Sequence, residues 1–279
     1  MNLTTTIEEN VAAALSEDLG PGDLTAQLIP ADTGAHATVI SREAAVLCGT
    51  AWFEGCFRKL DKYIEIRWFA RDGDSVVPNQ ILCEIRGNAR AMLSAERPAL
   101  NFLQTLSATA SNARRYVDIV AGTGALIMDT RKTLPGLRLA QKYAVKTGGG
   151  ANQRTGLYDG ILIKENHIVA AGGIPQALQQ AAAIAPPGTS IQIEVENLKE
   201  LRQTLDAGAK LLLLDNFTLK RLREAVAVTA KRAVLEASGG ITLKNLRAVA
   251  ETGVDRISIG SLTKDIKAVD LSMRFLAGI

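Results

Sequence analysis

Residues 160–217 read GILIKENHIVAAGGIPQALQQAAAIAPPGTSIQIEVENLKELRQTLDAGAKLLLLDNF. Three short apolar runs stand out: GILI at 160–163, IQI at 191–193 and LLLL at 211–214. Between them, IPQALQQAAAIA and LKELRQTLDAG repeat their apolar positions at the three- and four-residue spacing of an amphipathic helix. Strands alternating with helices imply parallel β-α units joined by right-handed crossovers. A charged residue follows each run: Lys164, Glu194 and Asp215. In an α/β barrel such positions converge on the C-terminal rim, where active sites are built.

The same pattern extends in both directions. ALIM at 125–128 is followed by Asp129, AVL at 233–235 by Glu236, and RISI at 256–259 by Gly260-Ser261. LKRLREAVAVTA and LKNLRAVAETG supply the intervening helices, and the last spacings, roughly 20 residues each, suit a TIM-type barrel. A single charge at a strand end is commonly just solvated, whereas five in succession favour a convergent site. Upstream the texture differs. Ile7, Val11, Ala14 and Leu15 share one helical face, ended by Gly20-Pro21-Gly22. ATVI at 37–40 and YIEIRWF at 63–69 read as strands, the latter alternating Ile64, Ile66 and Trp68 with Glu65 and Arg67. AWFEGCFRKL between them reads as a helix. Residues up to about 90 thus form an α+β layer with a small antiparallel sheet. Residues 91–121 form a long helix bridging two domains, with Ser94 as N-cap and Pro98 in the first turn.

Bulk properties narrow the function. The 279 residues are 47% hydrophobic, enough for one large domain or two moderate ones. A net charge of +3 and an aromatic content of 4% give no basis for a nucleic-acid surface. Cys48, Cys56 and Cys83 are odd in number and form no C-x-x-C, so buried thiols in a reducing compartment are expected rather than disulfides or zinc. MNLTTTIEEN lacks the basic and apolar regions of a signal peptide, and no apolar run reaches a membrane span of about 20 residues. The expectation is a soluble, cytoplasmic protein.

The chemistry concentrates in 129–167, DTRKTLPGLRLAQKYAVKTGGGANQRTGLYDGILIKENH. Seven cations (Arg131, Lys132, Arg138, Lys142, Lys146, Arg154 and Lys164) face three acids (Asp129, Asp159 and Glu165), a local excess larger than the charge of the whole chain. A run of this kind is usually a solvated face, but Gly148-Gly149-Gly150 would let backbone approach a polyanion closely. Arginine forks match carboxylates at two points, while lysines supply point charges for phosphate. Glu194 and Asp215 oppose this basic segment. A site of both signs suits ribosyl transfer, whose transition state resembles an oxocarbenium ion. Carboxylates can stabilise that cation, hold ribose hydroxyls or help place Mg²⁺. Either acid alone could instead be a buried partner of a barrel lysine. Ser238-Gly239-Gly240 and Ile259-Gly260-Ser261 follow late strands, where barrel loops commonly take phosphate; tight turns are the plainer reading. His36 reads as structural and His167, near the rim, as a polar site residue. Two histidines give little support to a Ser-His-Asp triad and none to a His-cluster metal site. The glycine run has neither the spacing nor the context of a Rossmann or Walker signature.

DTRKTLPGLRLAQKYAVK, GGGANQRTGLYDGILIKENHI, EVENL, LLLLDNF, LEASGGIT and ISIGSLTKD, with EDLGPGDLTAQLIP, AERPALNFLQTLSATAS and AVDLSMRF, closely resemble the quinolinate phosphoribosyltransferase family, in order and over nearly the whole chain. The resemblance implies an N-terminal α/β sandwich domain (1–112, with the bridging helix), an incomplete seven-stranded TIM-like α/β barrel (113–265), and a C-terminal segment (266–279), with a helix, returning to the first domain. It implies quinolinate and phosphoribosyl pyrophosphate as substrates, Mg²⁺, and a head-to-tail homodimer, or a higher oligomer, with shared sites. It also implies roles. Arg131 and Lys132 form the basic pair after the first barrel strand, Arg154 binds quinolinate, and Lys164 ends the next strand. Glu194 and Asp215 serve ribose and metal, directly or through water, and Arg97 is donated across the dimer. Ser238-Gly239-Gly240 and Ile259-Gly260-Ser261 take the 5′-phosphate. Lys132, Lys164, Glu194 and Asp215 are thereby expected to be catalytic.

Gln153-Arg154 stands where the family usually has His-Arg, and Thr147 replaces a frequent cysteine. Glutamine keeps a hydrogen-bond donor but cannot become cationic. Three other readings remain at this point: a phosphoribosyltransferase of the same fold for another aromatic acid, a Schiff-base lyase using Lys164, and a non-catalytic sensor. Intact DTRKT-PGLR and ENH argue against the first.

Overall fold

The computed structural model describes residues 3–276. The chain forms two compact units. The first runs to Arg114 and takes in Thr133–Gly149 and the chain from Thr263 onward; the second comprises Arg115–Lys132 and Gly150–Leu262. In chain order the elements up to the long helix are α1 (Leu3–Leu19), β1 (Gly34–Ser41), β2 (Ala45–Val46), α2 (Thr50–Leu60), β3 (Glu65–Trp68), β4 (Ser75–Val76), β5 (Ile81–Asn88) and α3 (Ala89–Val120). Then come β6 (Leu126–Met128), α4 (Arg138–Thr147), β7 (Gly160–Ile163), α5 (Glu165–Ala171), α6 (Ile174–Ile184), β8 (Ser190–Val195) and α7 (Leu198–Asp206). The chain continues through β9 (Leu211–Asp215), α8 (Leu219–Thr229), β10 (Val234–Ser238), α9 (Leu246–Ala250), β11 (Arg256–Ser258), α10 (Ser261–Lys264) and β12 (Leu271–Phe275).

In the first unit the four-stranded sheet has the order β12-β1-β5-β3, with antiparallel neighbours throughout. β1 alternates buried Ala35, Ala37, Val39 and Ser41 with less buried positions, the period of a strand covered on one face. α2 brings Trp52, Phe53, Cys56 and Phe57 to one side and buries all four. The three thiols are free and buried in this core, where burial pushes Cys56 up to about 12 and so keeps it inert. The C-terminal segment pairs with β1 as a strand, β12, where the family resemblance implied a helix. Its burial falls off from Leu271 to exposed Arg274 and Phe275, as suits a sheet edge.

The long helix begins earlier than the sequence reading. Asn88 caps it, its Oδ1 accepting from the Ala91 N–H at 3.1 Å, so Pro98 lies well inside rather than in the first turn. Ser94 cannot be the cap, because its hydroxyl donates to Asp23 Oδ2 at 2.8 Å. Two cap-type residues precede the same apolar pattern, and only tertiary contact distinguishes them. Gly148 also differs from expectation. A Cβ there would fall on the Ala110 carbonyl oxygen and lie 2.8 Å from the Ala113 side chain, so this glycine permits close packing on α3.

The second unit carries a six-stranded parallel sheet of order β6-β11-β10-β9-β8-β7. A single parallel bridge, Met128↔Ala151, stands at the seventh strand position, beside β6. Helices α6, α7 and α8 turn Ala177 and Ala181, Leu201 and Leu205, and Leu222 and Ala225 into the core. Among the described residues no helix is long and apolar enough to cross a membrane.

Candidate active site

Because the strands of the second unit are parallel, their C-terminal ends share one rim. Arg131 and Lys132 follow β6, Lys164 follows β7, and Glu194 lies near the end of β8. Asp215 ends β9, Ser238 ends β10, and Ile259-Gly260-Ser261 follow β11. Lys164 Nζ pairs with Glu194 Oε2 at 2.8 Å. Partial burial and the neighbouring Glu194 charge raise the Asp215 carboxyl above its ordinary value, while Lys164, the Asn216 amide and Lys132 oppose that rise. Lys132, Lys164, Glu194 and Asp215 therefore form one electrostatic group.

Two of the five strand-end charges play a different part. Asp129 is fully buried; its Oδ1 accepts from the Gln153 N–H at 2.9 Å, and its own N–H donates to the Ala151 carbonyl at 3.1 Å. Glu236 is fully buried and lies inside β10 rather than after it. Asp129 thus fixes the 151–153 segment, and Lys164, Glu194 and Asp215 are left to face the rim.

Arg154 leaves that segment with its Nη1 donating to the Gly160 carbonyl at 2.9 Å. Partial burial and the adjacent Arg131 charge lower its guanidinium from the ordinary arginine value. Two like charges that sense one another suit an anion with two negative groups. The turn after Arg154 is tied by Asp159, which accepts from the Thr155 and Gly156 N–H groups at 2.8 and 2.9 Å. Gln153 turns inward: its amide nitrogen donates to both oxygens of Glu236 and to Gln192 Oε1 at 3.2 Å. His167 Nδ1 accepts from the Lys164 N–H at 3.0 Å, so the imidazole caps α5 and fixes the backbone that carries Lys164.

The glycine turn is equally built. Asn216 takes a φ of 56°, donates its amide to Asp215 Oδ2 at 2.7 Å, and donates its N–H to the Ser238 carbonyl at 2.9 Å. Gly239, at φ 94°, lies so close that a Cβ would fall on Asn216 Oδ1 and 2.9 Å from its backbone nitrogen. Asn245 closes the far side, its Nδ2 donating to the Gly240 carbonyl at 3.1 Å and its Oδ1 accepting from the Thr242 N–H at 2.7 Å. Ser261 Oγ lies 3.2 Å from the Tyr116 hydroxyl. Gln192, Asn216, Asn245 and Tyr116 are the supporting residues that the sequence reading missed.

Of the seven cations in 129–167, Arg131, Lys132, Arg154 and Lys164 belong to the second unit; Arg138, Lys142 and Lys146 belong to the first, on α4. Arg97 is exposed on α3, also in the first unit. A groove of about 940 Å³ in the second unit is lined by Glu165, Glu194, Glu196, Glu200 and Asp206, a sign opposed to that required by a polyanion. A smaller cavity of about 250 Å³ lies under the glycine turn, lined by Phe217, Leu222, Ser238, Gly239 and Asn245. A Schiff-base lysine is activated by an apolar pocket or a neighbouring cation, whereas Lys164 is exposed and paired to a carboxylate. Among the described residues no group of three or more His, Cys, Asp or Glu could hold a metal. Glu194 and Asp215 remain as two carboxylates, a donor set that suits Mg²⁺ sharing its shell with water and substrate phosphates.

A parallel α/β barrel whose rim sets Arg131, Lys132 and Lys164 with two carboxylates, beside a glycine turn, defines an enzyme for anionic substrates. Residues 23–107 match the N-terminal domain of quinolinate phosphoribosyl transferase, and residues 109–274 match its C-terminal domain. The chain is 40% identical over 257 residues to the "Probable nicotinate-nucleotide pyrophosphorylase (carboxylating)" of Bacillus subtilis, covering 92% of this chain and 89% of that one. It is 38% identical over 275 residues to the nicotinate-nucleotide pyrophosphorylase (carboxylating) of Mycobacterium leprae, covering 95% of each. The solved nicotinate-nucleotide pyrophosphorylase of Francisella tularensis superposes with a TM-score of 0.94 at 43% identity, covering 98% of this chain and 96% of that one. The chain belongs to the quinolinate phosphoribosyltransferase family.

Proposed function

We propose that the chain joins quinolinate to phosphoribosyl pyrophosphate, releasing pyrophosphate and carbon dioxide and forming nicotinate mononucleotide, a step of NAD biosynthesis. The observation that carries this reading is the Lys164–Glu194 ion pair beside Asp215 at the strand ends, with Arg131 and Lys132 after β6 and Arg154 in the same unit. Quinolinate carries two adjacent carboxylates, and the two guanidinium forks match them. Its ring nitrogen forms a bond to the anomeric carbon as the carbon–oxygen bond to pyrophosphate breaks, the electron pair leaving with the oxygen. The pyridinium then accepts the electron pair of the bond to the 2-carboxylate as carbon dioxide departs, and a proton from water fills the vacated ring position. No covalent nucleophile is required; positioning and electrostatics do the work.

In this reading Glu194 and Asp215 hold ribose hydroxyls and stabilise positive charge developing at the anomeric carbon. Lys132 and Lys164 attract the pyrophosphate oxygens. Ser238-Gly239-Gly240 and Ile259-Gly260-Ser261 present backbone N–H groups to the 5′-phosphate. Mg²⁺ arriving with the phosphoribosyl donor would be held by Glu194 and Asp215, directly or through water, and would neutralise the leaving group. Arg97 acts from the partner subunit of a homodimer. The deciding experiment mixes protein, quinolinate, phosphoribosyl pyrophosphate and Mg²⁺ and weighs the products. Nicotinate mononucleotide with stoichiometric pyrophosphate supports the reading. Binding without pyrophosphate release would make the protein a sensor, and turnover of another aromatic acid alone would reassign the substrate.

A further inference from the structure

Inside the second unit, one layer of the barrel is polar. Gln192 on β8 and Glu236 on β10 come from alternate strands, as the side chains of one barrel layer do. Gln153, two residues beyond the Met128↔Ala151 bridge, joins them from the seventh position. Such layers are ordinarily filled by branched aliphatics. Here Glu236 is 0% and Gln192 4% exposed. The three side chains close a ring: Gln153 Nε2 donates to Glu236 and to Gln192 Oε1 (3.2 Å), and Gln192 Nε2 donates to Glu236 Oε2 (3.1 Å). Burying a carboxylate is costly unless donors meet it, and this one accepts from two glutamine amides. With its amide nitrogen shared between Glu236 and Gln192, Gln153 has no donor left to aim at the rim.

We propose that Glu236, with Gln192, is a positioning residue for the substrate-binding arginine: it grips the Gln153 side chain from within the barrel and so fixes the backbone from which Arg154 projects. The same segment is held on its other side by Asp129, which accepts from the Gln153 N–H at 2.9 Å. The two acids clamp one residue by its backbone and its side chain, and Arg154 is the next residue along. A displacement of about 1 Å at a substrate-orienting group can cost two orders of magnitude in rate, so a clamp one residue away is well placed to set affinity for the acid that Arg154 binds. The inference rests on the reading that Arg154 binds quinolinate.

The test is a swap of the buried charge. Glu236→Gln removes the carboxylate, Gln192→Glu places a second one beside the first, and the double variant Glu236→Gln/Gln192→Glu restores one carboxylate within reach of the Gln153 amide. Two quantities are read on the purified full chain. One is the KM for quinolinate and for phosphoribosyl pyrophosphate, each varied separately; the other is hydrogen–deuterium exchange of the peptide spanning 151–154. Glu236→Gln should raise the quinolinate KM about tenfold or more and speed exchange of that peptide, with the other KM changed less than about twofold. The double variant should recover both quantities to within about threefold. A folded Glu236→Gln with a lower Tm but unchanged quinolinate KM and exchange would make Glu236 a core residue only. A folded double variant with no recovery would also overturn the proposal. If Glu236→Gln does not fold, Gln192→Met removes one donor and keeps the carboxylate; an unchanged quinolinate KM there is equally fatal. Wild-type protein that does not consume quinolinate refutes the functional reading by itself, and the exchange data still decide whether the clamp exists.

Discussion

Replacing Gly239 with alanine should separate the architecture of the glycine turn from its contact with Asn216. The residue has φ 94°, where an L side chain costs roughly 1–2 kcal/mol. Its new methyl would also fall on Asn216 Oδ1 and press to 2.9 Å from the Asn216 nitrogen, so rotating that side chain would not relieve the clash. Asn216 must shift, and its 2.7 Å bond to Asp215 goes with it. A hydrogen bond to a charged group is worth about 1.5–3 kcal/mol. Gly240→Ala is the control: φ is 61° but no atom lies within 4 Å of the added carbon, so it carries the strain alone. Thermal unfolding and steady-state kinetics on both variants make the comparison. Both should lose a similar part of Tm to strain. Gly239→Ala should lose more, and should raise the KM for phosphoribosyl pyrophosphate above that of Gly240→Ala by about ten- to a hundredfold, with the quinolinate KM nearly unchanged. Equal effects of the two variants, or a Gly239→Ala protein with wild-type KM, would refute the link from the turn through Asn216 to Asp215.

Other expectations concern the remaining candidate site residues. Arg154→Lys keeps the charge but loses the planar fork and should cost about 1.5–3 kcal/mol of quinolinate affinity by calorimetry; wild-type affinity would contradict the assignment. Gln153→His should retain more activity than Gln153→Ala, because imidazole can still donate toward Glu236, and the reverse order in parallel kinetic assays would show that position 153 works otherwise. Asp215→Asn should raise Tm at neutral pH while abolishing turnover. The Asp215 carboxyl is raised in the folded state, so its effect on stability is favourable below the unfolded value of 3.8 and is lost as pH rises through the folded value; the gain in Tm should therefore vanish at low pH. Arg97→Ala and Arg131→Ala should each be nearly inactive, yet a purified mixed dimer should regain about half the wild-type activity, and an inactive mixed dimer would place Arg97 in its own chain's chemistry or folding.

The barrel was legible because each apolar run is short, bounded and followed by a polar residue; the runs containing Ile161, Ile193 and Leu213 all became strands of one parallel sheet. Lys164, Glu194 and Asp215 were legible for the same reason, since strand ends in a parallel sheet must share a rim. Asp129 and Glu236 carry the same sequence signal and are buried, because charge type does not reveal which way a side chain turns at a strand end. Gln192 was hidden inside an apolar run, where a lone amide between two isoleucines could have raised the question of its partner. Asn216 and Asn245 resemble ordinary turn residues, and their work depends on chain brought close by the fold. Ser94 and Asn88 compete as helix caps on equal local terms, and Asp23, 71 residues away from Ser94, decides between them.

The pairing of β12 with β1 has a consequence for synthesis on the ribosome. The Arg42 and Ser272 side chains, bonded where these strands meet, are 230 residues apart. At roughly 5–20 residues per second, the nascent N-terminal sheet waits on the order of ten to fifty seconds for its last strand. Throughout that interval the free edge of β1, with Val39 and Ile40 on it, is open to pairing with any passing strand. Thr133–Gly149 also belongs to the first unit, so that unit draws on chain made early, midway and last. A stalled or truncated chain therefore leaves an unfinished N-terminal half with a sticky edge, a substrate for chaperones and proteases.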